Sequence, residues 1–274
     1  MQAAIDFGIT NIDTVQRREG ELVHTRLVTT AQPLAEQFAA VIQTLGEKHS
    51  QIVRVAVTGG RYRSLPERIG QVELVKINEV SSIGRGGLYL SGLEEALVVS
   101  AGSGTAMVAA RGQAAVHVTG SAVGGGTLQG LGRLLLGTPD PGEIDRLAMQ
   151  GNANHADLTL VEAVGSAVGR LPVDANAVNF GRLAGEVINL SMEDRAAGLV
   201  RLVGQVIAVI AINAARAEGL EKIVITGHLV DLPSVRQVLN EVASYYQADI
   251  SVPPQPGIGT AVGALLCLEE LNKS

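Results

Sequence analysis

Tryptophan is absent from the 274 residues, aromatic side chains of all kinds make up 3%, and there is a single cysteine. So few rings leave no stacking platform for single-stranded nucleic acid. A formal net charge of -6 offers no basic footprint for a phosphate backbone, so nucleic acid is not expected as a partner. No long run of like charge is present and 46% of residues are hydrophobic, which excludes a disordered chain and supplies one large core or two moderate ones. The lone Cys267 rules out an intrachain disulfide, and its setting in AVGALLCLEEL is that of a small buried hydrophobe. The opening MQAAIDFGIT lacks the basic and cleavage segments of a secretory signal. The most apolar helical stretch, 202–215, contains Gln205 and Asn213 and is shorter than a bilayer span needs, so it reads as a buried helix. The expectation is a cytoplasmic protein with no membrane association. The five histidines, His24, His49, His117, His155 and His228, show no metal-ligand spacing.

What is present begins with a repeat. AAIDFGI, NIDTVQR and LVHTRLV read as three short strands joined by tight turns, and the design returns about 94 residues later as ALVVSAGSG, TAMVAA and AAVHVTG. Gly8 corresponds to Gly102, and Val23-His24 to Val116-His117. A duplication of this kind predicts two related α/β lobes, each opening with an antiparallel β-β-β unit. The boundary is expected near residue 92, giving lobes over 1–92 and 93–274, with the last helix packing back across it. Helical spacing covers 32–45 and 79–90 in the first part. In the second part it covers 124–136, 142–150, 176–188, 193–218, 231–243 and the stretch from 258. Strands are expected at 52–60, 72–77, 221–227 and 249–252.

Glycine is where the chemistry gathers. DFGIT (6–10) puts a carboxylate at a strand end, then a glycine and a hydroxyl; its amides suit a phosphate, and Asp6 could hold magnesium through water. SAGSGT (100–105) occupies the equivalent place in the second repeat, so two facing lobes would line one cleft with both turns. GGGTLQGLG (124–132) runs straight into a helix, whose N-terminus favours an anion. No lysine follows, as a Walker A loop requires, and the preceding antiparallel unit is not a Rossmann context. VTGG (57–60) and ITGH (225–228) end two further strands. Glu79 follows a strand aimed at the cleft; a transfer to an alcohol needs such a carboxylate to accept the hydroxyl proton, and a solvated first-turn glutamate has the same pattern.

DFGIT, AGSGT, HVTGSAVGGGTLQGLG, NAVNFG (176–181), ITG and the closing GIGTAVGALL stand in the order found in type II (Fumble-type) pantothenate kinases, which this chain resembles over nearly its whole length. The resemblance implies the two-lobed actin-like ATPase (ribonuclease H-like) fold, with duplicated β-β-β-α-β-α-type lobes. It also implies transfer of the γ-phosphoryl of MgATP to the primary hydroxyl of pantothenate, towards coenzyme A, and a homodimer formed through helices of the second lobe. Asp6, Gly8 and Thr10 match the first phosphate turn; Gly102, Ser103 and Gly104 match the second, where Ser103 and Thr105 would lie near the acceptor. Gly124, Gly125, Gly126 and Thr127 match the glycine cradle for ATP, Gly227 the adenosine-side turn, and Glu79 the catalytic carboxylate.

Three positions depart from the family pattern. Asp13 stands where a lysine is usual, Ala106 where a second hydroxyl is usual, and His117 where an arginine faces the substrate. Histidine is shorter than arginine and lacks its planar fork of donors. The ATP half of the motif set is thus kept and the acceptor half altered. Two alternatives to a pantothenate kinase stay open on sequence: a kinase of the same fold with another hydroxylated acceptor, and a catalytically silent nucleotide or coenzyme A binder.

Overall fold

The computed structural model of the chain describes residues 2–45, 52–185 and 189–273. The first part contains β1 (Ala3–Phe7), β2 (Asn11–Arg18), β3 (Glu21–Val28), α1 (Leu34–Thr44), β4 (Arg54–Thr58), β5 (Arg68–Ile69), β6 (Val72–Lys76) and α2 (Glu79–Ser91). The second opens with β7 (Glu95–Ala101), β8 (Thr105–Arg111) and β9 (Ala114–Ser121), followed by α3 (Gly125–Leu136) and α4 (Pro141–Ala148). It continues with β10 (Leu158–Thr159), α5 (Leu160–Val164), β11 (Asn176–Val178), α6 (Met192–Ala217), β12 (Lys222–Thr226), α7 (Pro233–Tyr246), β13 (Asp249–Ser251) and α8 (Gly259–Leu271).

The repeat read from the sequence is visible in the sheets. One runs β3-β2-β1-β4-β6-β5 and the other β9-β8-β7-β12-β13. In both, the first three strands pair antiparallel and the next strands add in parallel beside the first. β1 is buried on both sides, as its near-continuous apolar run demands.

Five layers result. The outer face of the first sheet (Ile5, Phe7, Ile12) is covered by Phe38 and Val41 of α1. Its inner face (Ala4, Val15, Ala56) is covered by Ala261, Leu265 and Leu268 of α8, so the last helix does pack back on the opening strands. Ile83 and Leu88 of α2 pack on Val98 and Val108 of the second sheet. The other face of that sheet carries α3, α4, α6 and α7. Between the sheets α2 crosses α8 at glycines: a Cβ on Gly86 would overlap the Gly259 carbonyl, and one on Gly263 the Ser82 carbonyl. The long apolar helix α6 packs its Leu199, Val203, Ile207 and Ala211 into the large core of the second part.

The helix expected over 176–188 is not formed. Asn176–Val178 pairs with β10, Phe180 adopts φ 55, and only a single 3₁₀ turn follows at Gly181–Ala184; residues 186–188 lie outside the described set. Local polar groups take the backbone elsewhere. The Asn176 amide donates to Asn179 Oδ1 (2.7 Å) and Gln205 Oε1 (2.9 Å), and the Phe180 amide donates to the buried Asp157 (2.8 Å).

Candidate active site

Asp6 is the penultimate residue of β1, directly opposite Asp13 on β2, which in turn faces Arg26 on β3. Residues opposite one another on paired antiparallel strands share a face, so the three form one row across the inner side of the first sheet. The turn that follows Asp6 meets the turn after β7: Thr10 Oγ1 and Ser103 Oγ are 2.6 Å apart. The two repeated turns therefore converge on one point, as facing lobes require. Among the described residues, the amides of Ile9, Thr10, Ser103 and Gly104 have no acceptor, leaving a set of donors around that point.

The glycine cradle serves differently from a bare helix N-terminus. The Gly125 amide donates to the Gly102 carbonyl (2.7 Å) and the Gly126 amide to the Ser103 carbonyl (2.9 Å). A Cβ on Gly124 would lie 2.8 Å from the Ser103 carbonyl oxygen, and one on Gly126 3.0 Å from it. The three glycines thus let the start of α3 dock flat on the second turn and shape it, instead of presenting these two amides to an anion. Thr127 caps the same start: its hydroxyl accepts from the Gly124 amide (3.3 Å) and donates to the Ala122 carbonyl (3.1 Å). Thr105 is buried with its hydroxyl donated to the Val123 carbonyl (2.9 Å), which turns it towards the cradle.

Glu79 is the first residue of α2, with Asn78 capping the helix by accepting from the Val80 amide (2.8 Å). Ser82, fully buried, donates to the Asn78 carbonyl (3.0 Å) and lies 3.3 Å from Thr58 Oγ1 on β4. The helix start is thereby tied to the sheet that carries Asp6. Burial raises the proton affinity of Glu79, opposed in part by the Arg63 guanidinium. Burial, with Asp13 and Glu79 nearby, lifts Asp6 to about 7. Gly59 makes room for it: φ is 96 there, and a side chain would strike the Asp6 carboxylate.

His117 is exposed on the edge strand β9, opposite Val108, just as His24 stands exposed opposite Val15 on β3. Ala106 packs on the cluster that also holds Val80, the residue after Glu79. Gly227, at φ 95, brings the end of β12 against Ala101, where a Cβ would overlap the carbonyl.

The next residue, His228, is the feature that sequence reasoning missed. Its Nε2 lies 2.8 Å from Asp13 Oδ2 and its Nδ1 2.9 Å from Asp231 Oδ2. Arg26 closes the circuit, with Nη2 3.3 Å from Asp231 and Nε 3.6 Å from Asp13. Two acids and two bases form a ring from one lobe to the other. The available signal was an aspartate at a buried strand position, opposite a single arginine on the neighbouring strand. Burial alone would weaken the basicity of His228, but its hydrogen bonds to Asp13 and Asp231 outweigh that and carry it up to about 9. A base held more tightly protonated in the folded state contributes stability that is complete below its unfolded value of about 6.5 and lost as pH rises through about 9. The nucleotide-free protein should therefore melt about 5 °C lower at pH 9.5 than at pH 6.5 by calorimetry, and His228→Asn should remove most of that slope.

A divalent cation suits this corner. Among the described residues Asp13 Oδ1 is buried without a hydrogen-bond donor, and burial, with Asp13 and Glu79 nearby, raises the proton affinity of Asp6, which a bound cation would offset. Among the described residues no three or more His, Cys, Asp or Glu side chains form a protein cage for a metal. A magnesium ion would need only one or two carboxylates here, and would complete its shell with water and substrate phosphates.

Comparison with known proteins bears on the fold and the family. The chain aligns over 232 residues with the type II pantothenate kinase of Staphylococcus aureus (strain USA300), at 28% identity, covering 83% of this chain and 84% of that protein. Its fold is similar to the crystal structure of component A of (R)-2-hydroxyglutaryl-CoA dehydratase from Acidaminococcus fermentans, with TM-score 0.70, 16% identity, and 100% and 99% of the two chains covered. It is also similar to the activator of 2-hydroxyisocaproyl-CoA dehydratase from Clostridium difficile with bound ADPNP, with TM-score 0.68, 16% identity, and coverage of 99% and 96%. At such identities the structures speak for the fold alone, and that fold is the two-lobed actin-like ATPase. The Fumble family model matches residues 95–251, from the start of β7 to the end of β13, and the chain belongs to the Fumble family.

Proposed function

We propose that this protein is an ATP-dependent kinase that phosphorylates the primary hydroxyl of pantothenate, the reaction named for its S. aureus relative. The observation that supports it most is the convergence of Thr10 and Ser103 at 2.6 Å, with the Glu79 carboxylate close enough to raise the proton affinity of Asp6. In this reading the turn amides and the two hydroxyls hold the transferring phosphoryl group, and the glycine contact between α3 and the second turn fixes their geometry. Asp6 would hold Mg²⁺, which when bound neutralises charge on the phosphate oxygens. Glu79 orients the acceptor hydroxyl and takes its proton as the oxygen bonds to phosphorus and ADP leaves. A raised proton affinity fits that task, because a base is most effective when its own pKa approaches the working pH.

The acceptor side supports a second reading, a kinase with another hydroxylated substrate. His117 is exposed, and Ala106 supplies no hydroxyl. Labelled ATP with pantothenate and a panel of hydroxy acids and pantetheine-like alcohols separates the two. Pantothenate should be the preferred acceptor by kcat/KM; ATP consumption with another alcohol and none with pantothenate selects the second reading, and nucleotide binding without any transfer sinks both.

A further inference from the structure

We propose that His228 and Asp13 are positioning residues, whose contact across the cleft holds the two lobes at the separation where both phosphate turns face one point. The geometry puts each partner next to a turn. Asp13 is on β2, three residues after Thr10 and opposite Asp6. His228 follows Gly227, which packs on the carbonyl of Ala101, the residue before Gly102. A change in the spacing of Asp13 and His228 is therefore passed to both turns through short, rigid backbone.

The ring has a buried centre and an exposed rim. The Asp13 side chain is 5% exposed and that of His228 19%, whereas Arg26 and Asp231 are 44% and 37% exposed. Exposed pairs contribute little, so the His228–Asp13 contact carries the effect. The imidazole is fixed from behind as well, since any side chain on Gly257 would overlap it, and the Gly227 amide donates to the Pro256 carbonyl (2.8 Å). The contact is also hard to do without. Asp6 and Asp13 are carboxyl groups directly opposite on paired strands, and Asp13 is one of the groups that raise the proton affinity of Asp6. Arg26 meets Asp13 from the first sheet at 3.6 Å, and His228 adds the shorter and more buried contact from the other lobe. The Thr10 and Ser103 hydroxyls also meet across the cleft, but they are the groups a phosphoryl ligand would engage. The histidine contact can keep the spacing while those hydroxyls turn to the ligand.

The inference rests on the kinase reading only for its kinetic readout, so two measurements are paired. His228→Asn and Asp13→Asn should each lower kcat about 100-fold with far less change in KM for ATP, the cost of misplacing reacting groups by about 1 Å. The double variant, with two amides able to hydrogen-bond each other, should turn over faster than either single variant. If the two losses multiply instead, the residues act independently and the proposal fails. For the second measurement, spin labels at Val28→Cys and Leu134→Cys, both exposed, are placed in a Cys267→Ser background. The unliganded protein should give one narrow distance distribution that shifts and broadens in His228→Asn and recovers in the double variant. A distribution unmoved by His228→Asn overturns the clasp. A wild-type protein that transfers no phosphoryl group leaves this distance test standing and counts against the kinase reading alone.

Discussion

Glu79→Gln is expected to lower turnover about 10³-fold, the usual scale for losing a general base, while affinity for the nucleotide stays unchanged. Glutamine keeps the shape and the hydrogen-bonding reach of the side chain but cannot accept the proton of the acceptor hydroxyl. The helix start should be undisturbed, because Asn78 provides the cap and Ser82 the tie to β4. Titration calorimetry with a non-hydrolysable ATP analogue, beside single-turnover kinetics, separates the two effects. Equal loss of binding and turnover would mean that Glu79 supports the fold of the site and not the proton transfer. Unchanged turnover would remove the assignment altogether.

The second large effect is on stability. Gly86→Ala places a methyl group where the Gly259 carbonyl and Gly263 amide already lie, at the crossing of two buried helices. Neither neighbour is a flexible side chain, so the helices must separate, at a cost of about 3 kcal/mol in urea unfolding. Gly130→Ala is the matched control. It is also a glycine within a helix, but it faces open space, and alanine there should stabilise by about 1 kcal/mol. A small effect at Gly86 would mean that the crossing is looser than the packing described above.

Much of this organisation was legible in the chain itself. Three-strand units recur because Gly8 and Gly102 sit at the same place in two apolar patterns, and, apart from the extra edge strand β5, both sheets show the same strand order. The long helices α6 and α8 announce themselves by apolar spacing. What failed locally was 176–188, where asparagine side chains and the Asp157 carboxylate compete for backbone groups that a helix would need. Spacing in the sequence does not report such competition. The run of glycines before α3 is plain in the sequence, but only the fold shows that the Gly125 and Gly126 amides bond to the second turn. His228 was noted as the end of ITGH and not as a partner of Asp13. Their separation of 215 positions explains why: contacts between lobes leave no local pattern.

The crossing of α2 and α8 has a consequence for how such a molecule could arise or be dismantled. Each sheet is roofed on its inner side by a helix encoded in the opposite half of the chain: α2 lies on the second sheet and α8 on the first. The duplicated halves have thus traded a layer, as swapped subunits do in a dimer, and each completes the other's core. Deleting either half would strip an apolar roof from the half that remains. The two copies can diverge in their loops, but neither can be lost.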